Sequence, residues 1–503
     1  MAAPERDVPH IDPKESLAAF MKGMAVADPE VLRGTAAHQA LSRFGQGFRR
    51  RGLFGKSWPV TKIGQFWSHS WRERRWKKTL TLMIVFNGPA ALVAAHLAAI
   101  LTMLLLGAGV LPPVGHPLFD GRPLHFYCQS TGFVAVVLTV LLWRPGRTIF
   151  LDRICIHQED PKMKGKAITS MGGFLKHSEE LLILFDETYT QRLWCVIELA
   201  AFLKSREGAA ARANSVQIRP TYLGPAALAI FMMQVLFLFA NAMLPTLDVP
   251  PVALILALAP QLTLLYLAVD LMRRVHREKH AAQTRLKTFR LQDAQCYCCT
   301  VNHTNPKTGK RINCDRDVLT GLVQSWFGSV EAFESQVRGD VLQLFSRQLG
   351  VHMFSYRFLL VMNSGILFWP MDCLAWSAAL HGEIPGFSQF WIMFLPLVWI
   401  LAAGPLVVVW AEFVTRLLQK QQQNLWCYRA VNVAGVLLLM LGFAVLFVFT
   451  DLPKKATPFA SSRSWLEFQT YKFLFDLGIL SAVAIVAWNV QTCLARINRV
   501  RQA

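Results

Sequence analysis

Residues 192–199 read Arg192-Leu193-Trp194-Cys195-Val196-Ile197-Glu198-Leu199, a helical pattern set between two long apolar runs, 125–143 and 224–244. Trp194 and Glu198 are four residues apart, so a helix over 191–204 puts them on one face. Glu198 is flanked by Leu193, Val196, Ile197, Leu199 and Ala200. Two readings follow: a carboxylate that points to solvent or pairs with Arg192 or Lys204, or one held in place for chemistry. Trp194 likewise reads as a core side chain or as the wall of a site.

The segment around this helix, 144–223, alternates strand and helix. Residues 148–156 (TIFLDRICI) are β-branched and apolar enough for a buried strand, and Asp160-Pro161 forces a turn after them. Residues 166–176 place Ile168, Met171 and Leu175 at helical spacing, and 181–185 (LLILF) form a short apolar run bounded by charge. Such a run fits a parallel strand covered on both faces. One more strand is expected at 215–220, so the segment reads as βαβ units around a parallel sheet.

The rest of the chain is apolar on a scale that a soluble domain rarely reaches: 53% of its 503 residues are hydrophobic, with 34 Phe and 15 Trp. A membrane span needs about 20 mostly apolar residues. Eight runs qualify: 80–106, 125–143, 224–244, 249–271, 355–380, 387–411, 430–450 and 468–494. Prolines 89, 260, 370, 396 and 405 fall within them and predict kinks.

Of the 52 Lys and Arg, only Arg122, Lys454, Lys455 and Arg463 lie in the loops that this arrangement puts outside. Positive charge is retained on the cytoplasmic side, so both termini are expected in the cytosol. The net charge of +20 then belongs mainly to the inner face, where basic flanks such as Arg72, Arg74, Arg75, Lys77 and Lys78 meet anionic head groups of the lipid bilayer. The basic residues flank spans and no nucleic-acid module is present, so nucleic acid is not an expected partner. None of the ten Cys falls in an outer loop, as expected for thiols kept reduced. Residues 1–78 are polar, so no cleavable signal is expected before the first span, which would act as its own anchor. A glycan on the sequon at Asn302 would overturn this orientation.

Soluble chemistry is thereby confined to the inner segments 60–79, 144–223 and 272–354. Residues 1–60 read as a cytosolic arm with a short amphipathic helix near 15–24, and 495–503 as a cytosolic tail. No internal repeat is visible.

These residues resemble a TIR domain (Toll/interleukin-1 receptor type). The likeness is carried by Phe150-Leu151-Asp152, the loop through Pro161 and Gly165, Ser178, the 181–185 strand, Tyr189, and the segment from Arg192 to Leu199. Upstream, Gln65-Phe66-Trp67-Ser68-His69-Ser70-Trp71 is similar to the first-strand motif of that family. The match covers about a fifth of the chain, and its Trp-Cys-x-x-Glu-Leu element is its most specific part. The chain also resembles multi-pass protist proteins that carry Arg-Leu-Trp-Cys-x-x-Glu-Leu-Ala, a likeness that brings no activity with it.

The eight apolar runs predict a polytopic α-helical membrane protein with about eight transmembrane helices, and the resemblance implies that it carries a cytosolic TIR-like α/β module of flavodoxin-like type. In this chain two apolar runs are inserted between the first and second strands. The third run follows 215–220 almost directly, so the fifth strand and last helix usual in the family either come from 272–354 or are lacking. The implied role is signalling or assembly at a membrane, through self-association or other TIR-like domains. The family also implies an alternative, cleavage of NAD as substrate, with Glu198 catalytic and Trp194, Ser68 and Phe66 lining the site. A fixed carboxylate would stabilise the positive charge that develops on the ribose as nicotinamide leaves.

Two further features bear on function. Cys296, Cys298, Cys299, His303 and Cys314 lie within nineteen residues and could supply a tetrahedral zinc site. Adjacent Cys298 and Cys299 favour a set of Cys296, one of that pair, His303 and Cys314; the alternative is a reduced, accessible loop, some of its cysteines palmitoylated. Residues 318–349 carry apolar side chains at helical spacing, interrupted at Gly328 and Gly339. Finally, Asp372, Lys472 and Asp476 lie within apolar runs. With Asn363, His96 and Gln261 they could line a polar path, which makes a channel or transporter a third reading, beside the simpler one of a bundle held by interhelical hydrogen bonds.

Overall fold

A computed structural model describes residues 24–26, 28–49, 52–112, 126–206, 214–243, 251–304, 309, 311, 314–350, 354–381, 396–397 and 399–451. The chain divides into two compact units, one drawn from Met1–Leu82, Arg144–Thr221 and Lys279–Gln348, the other from Met83–Trp143, Tyr222–Glu278 and Leu349–Ala503.

The first unit is built on a sheet of six strands: β1 (Arg33–Ala36), β2 (Trp58–Pro59), β3 (Ile63–His69), β4 (Thr148–Phe150), β5 (Ser178–Phe185) and β6 (Val216–Pro220). They lie in the order β2-β1-β4-β3-β5-β6. The last four are mutually parallel, with Gln65 opposite Ile149 on one side of β3, Ser68 opposite Ile183 on the other, and Ile183 opposite Ile218. Within that parallel part the chain places its second strand beside its first, then its third and fourth on the far side. The long central pairing of β3 with β5 is possible because Leu181 to Phe185 are apolar without interruption and all buried.

Side chains alternate across β3. Phe66 stacks on Phe150 at 4.7 Å, and Phe150 meets Phe174; on the opposite face Trp67 and His69 pack on Phe48. Both faces are therefore covered, and the core lies along β3, β4 and β5. At ≈25 cal/mol per Å² of apolar surface, each of these buried rings contributes on the order of 2–3 kcal/mol.

Several elements differ from the sequence expectation. The strand predicted over 148–156 ends at Phe150, and a short helix, Asp152–Cys155, begins there. An Asp at the first helical position favours that start because its carboxylate meets unpaired backbone N–H groups. The helix expected over 166–176 is two helices, Pro161–Thr169 and Met171–Lys176. Asp160 caps the first by accepting from the Lys162 and Met163 amides. The segment 1–60 contributes β1 and β2, antiparallel to their neighbours. Strands of four and two residues are too short to show a period of two in sequence. Among the helices after 314, Gly328 ends Asp315–Phe327 at φ 86°, a left-handed position that suits glycine, whereas Gly339 sits inside a widened turn, Val337–Val341, and breaks nothing.

The free edge of β6 has a specific cover. The Gln348 side chain accepts from the Ile218 N–H at 2.7 Å and donates to the Val216 carbonyl, so one primary amide pairs with two backbone groups.

The second unit is helical. Arg75–Gly107, Tyr356–Trp376, Trp399–Leu417 and Leu425–Gly442 are long and apolar enough to cross a membrane, and Tyr127–Leu142 and Leu223–Leu236 are shorter apolar helices. A further helix spans Pro251–Lys287. The described residues of the first seven predicted runs are helical apart from Phe126, Trp143 and Ser355 at run ends. The eighth, 468–494, with Lys472 and Asp476, lies outside the described residues, as do the predicted outer-loop cations and most of 15–24.

Polar groups in this unit close helix ends. Asp372 is buried and accepts from the Cys128 N–H at 2.7 Å and the Gln129 N–H at 3.3 Å, the first amides of Tyr127–Leu142. Arg273 is fully buried and donates to the Leu418 carbonyl at 2.7 Å and the Lys420 carbonyl at 3.3 Å, at the end of Gly404–Leu417. Its guanidinium also reaches Asn432 and lies over the Tyr428 ring, while Asp270 joins Tyr428, Asn432 and Arg274. A helix leaves about four amides unpaired at one end and four carbonyls at the other, so an anion and a cation are suited to these places.

Candidate functional site

Glu198 lies in the helix Leu193–Lys204, which follows β5, and its carboxylate is directed at the end of β3. Ser68 Oγ is 2.6 Å from Glu198 Oε2 and 2.8 Å from the Tyr189 hydroxyl, which donates to the Cys195 carbonyl at 3.2 Å. The Cys195 thiol faces the His69 carbonyl. Two of the residues expected at the site, Ser68 and Glu198, are thus in direct contact although 130 positions apart.

Burial, opposed by the Ser68 hydrogen bond and Arg192 and aided by the nearby Asp152 charge, pushes the Glu198 carboxyl up to about 8. The protonated form of Glu198 is therefore favoured near neutral pH. Proton counting agrees with that state. With Glu198 ionised, Ser68 donates to it, and Tyr189 must divide one proton between Ser68 and the Cys195 carbonyl. With Glu198 protonated, three hydroxyl protons run one way, from Glu198 to Ser68, from Ser68 to Tyr189, and from Tyr189 to the carbonyl.

More ionisable groups gather at the carboxyl ends of the parallel strands. Asp152 follows β4, and burial raises its carboxyl. Asp186 follows β5; burial pushes it up to about 6 against hydrogen bonds from the Thr188 N–H and hydroxyl. His69 closes β3, and burial holds its ring well below the usual histidine range, hence neutral. His69 Nε2, Asp186 Oδ2 and Thr190 Oγ1 are buried with no hydrogen-bond partner among the described residues. Trp71 lies over this end, 4.3 Å from the His69 ring and 4.1 Å from the Arg153 guanidinium. In parallel sheets ligands bind beyond the strand carboxyl ends, where successive connections run in opposite directions. Here that place is between β3 and β5, and Ser68 and Asp186 flank it.

The other two expected residues stand apart from this contact. Phe66 is buried against Phe150 and belongs to the core. Trp194 is half-buried on the Glu198 helix. Two concavities in this unit, of about 220 Å³ at Phe54, Arg153 and His157 and about 550 Å³ at Lys204, Gln336 and Asp340, are not lined by Glu198 or Ser68. Sequence reasoning gave no site role to Tyr189, Asp152 or Asp186. A carboxylate directly after an unbroken apolar strand, as in Phe185-Asp186, is the signal that could have found one of them.

The cysteine loop forms a second cluster. One ligand atom from each of Cys298, Cys299, His303 and Cys314 lies within 4.8 Å of the others, so the group could hold a metal ion such as zinc. The four differ from the set favoured by sequence. Both adjacent cysteines take part, because the single turn Tyr297–Thr300 brings their sulfurs to 3.8 Å; Cys296 stays outside the group, its sulfur 3.4 Å from that of Cys298.

Of the residues expected to line a polar path, Lys472 and Asp476 lie outside the described residues, and three others have local partners. Asp372 caps a helix, the His96 ring bonds the Leu92 carbonyl and packs on Phe368, and Asn363 meets Gln234.

No known protein family, curated protein or solved structure matches this chain.

Proposed function

We propose that this protein is a membrane-tethered, TIR-like module whose cytosolic α/β unit acts in signalling or assembly, with the helical unit fixing its location. The observation that carries this reading is the strand arrangement. The second, first, third and fourth parallel strands lie side by side, as at the start of a flavodoxin-like sheet, and the segment from Arg192 to Leu199 opens the helix after the third. Gln348 stands where a fifth strand would pair. The membrane part rests on four helices of sufficient length and on large apolar side chains left facing outward, among them Leu97, Leu101, Leu104, Leu437 and Leu441. Reconstitution in nanodiscs at increasing protein-to-disc ratio, followed by chemical cross-linking, tests the assembly role. Dimers and higher species that depend on the α/β unit are expected; monomers at every ratio would refute it.

A second reading, cleavage of NAD, is favoured by the contact of Ser68 with Glu198 beside the unpartnered polar atoms of His69 and Asp186. In that reaction water replaces nicotinamide on the ribose, giving ADP-ribose, nicotinamide and a proton. Glu198 must be ionised to stabilise the cationic ribose, so it first gives up the proton that it holds at rest. The cationic nicotinamide ring of the bound substrate would favour that loss. Nicotinamide release by the full chain, measured with and without Glu198→Gln, separates this reading from a purely assembling module.

A further inference from the structure

Cys298, Cys299, His303 and Cys314 have the stereochemistry of an ion site. Zinc bound at about 2.3 Å from each sulfur sets neighbouring sulfurs about 3.8 Å apart along a tetrahedron edge. The Cys298 and Cys299 sulfurs are 3.8 Å apart, and the Cys299 sulfur is 3.8 Å from His303 Nε2. These separations are far too long for a disulfide, which needs about 2.05 Å. The backbone is bent to make them. Asn302 and His303 both adopt left-handed conformations, at φ 48° and 55°, and the His303 N–H closes on the Cys298 carbonyl at 2.8 Å. Two consecutive non-glycine residues there cost about 1–2 kcal/mol each, a strain that persists where something compensates for it. Cys314 enters from the N-terminus of the helix Asp315–Phe327.

We infer that Cys298, Cys299, His303 and Cys314 bind one structural zinc ion, and that this ion steadies the segment which caps the Glu198 helix. The connection is continuous. Gln295 precedes the cluster; its carbonyl accepts from the Leu193 N–H at 3.1 Å, and its N–H donates to the Gln191 carbonyl at 2.6 Å. Leu193 is the first residue of the Glu198 helix. On the other side of the loop Arg316, two residues after Cys314, donates to the carbonyls of Leu291, Gln292 and Ala294 at 2.7–2.8 Å. An ion joining Cys298 and Cys299 to Cys314 closes this loop on itself and holds the 291–295 segment against the helix. Three thiolates and an imidazole with no open position fit a structural role. The inference does not depend on what Glu198 does.

The test uses the full chain purified in detergent, with elemental analysis and with cobalt substituted for zinc. About one zinc per chain is expected, together with the intense absorption of tetrahedral cobalt bound to thiolates. Cys299→Ser and Cys314→Ser should lower occupancy at least about tenfold, while Cys296→Ser and Cys427→Ser keep it. His303→Cys supplies a fourth thiolate and should retain the metal with stronger cobalt–thiolate absorption, which separates loss of a ligand from loss of the fold. Chelation of the wild type should speed amide hydrogen exchange at 191–195 and 291–299. A metal-free chain that still protects those amides, or equal metal loss in Cys296→Ser and Cys299→Ser, would overturn the assignment.

Discussion

Glu198 in the α/β unit and Asp372 in the helical unit are both carboxylates withdrawn from water, yet their surroundings make opposite uses of them. Asp372 is met by two backbone amides at the start of a helix, groups that cannot move away and that carry the positive end of a dipole. Glu198 is met by one rotatable hydroxyl, with another carboxylate nearby. The first arrangement fixes an anion as part of the scaffold. The second holds a proton close to the point of release. Burial alone therefore does not set what a carboxylate can do; the kind of partner matters as well.

The contrast can be broken most directly at Asp372. Asp372→Ala leaves two buried amides unpaired and should cost about 3 kcal/mol of stability, seen by reversible unfolding in detergent. A loss under about 1 kcal/mol would mean that the residue is not a cap. At the other pole, if NAD is cleaved, Glu198→Gln should reduce nicotinamide release about 100-fold or more, whereas Asp372→Asn leaves it unchanged. For the wild type kcat/KM should rise with pH up to about 8, since only the ionised Glu198 serves.

Stability sharpens the comparison through proton linkage. The folded state keeps the Glu198 proton up to about pH 8, whereas the unfolded chain releases it near the ordinary value of 4.5. Between those values the native state binds more protons, so stability falls as pH rises. Wild type should lose about 1 kcal/mol relative to Glu198→Gln between about pH 6 and pH 8, reduced from a full linkage of about 2 kcal/mol because the residue is half-buried. Parallel pH profiles for the two proteins would remove the proton from this account. The smallest expected effect is at the sheet edge: Gln348→Ala should cost about 1 kcal/mol, measured by denaturant unfolding, with no change in metal content.

The parts of this architecture legible in sequence are those written in runs and periods. Leu181 to Phe185, the strand ending at Pro220 and the Glu198 helix all announce themselves by spacing. Ser68 was reached only through its likeness to a family motif, and the structure puts its hydroxyl on Glu198. What was not legible depends on partners far along the chain. Nothing near Asp372 indicates that it meets Cys128, 244 positions away. Arg273 reads as the end of an apolar run, although it is buried on carbonyls near 418–420. For Cys298 and Cys299 adjacency argued against shared ligation, because the turn that aims both sulfurs one way is a property of backbone angles and not of order. Phe66 carried the same motif as Ser68, but its ring lies within the stack on Phe150.

The amide of Gln348 has one more effect. A sheet that ends in an exposed strand offers a template on which a strand from another molecule can grow, and proteins commonly defend such rims with charge or proline. Here a lone carboxamide occupies the donor and acceptor that an incoming chain would need first. A strand arriving at this rim would have to displace that amide before it could pair.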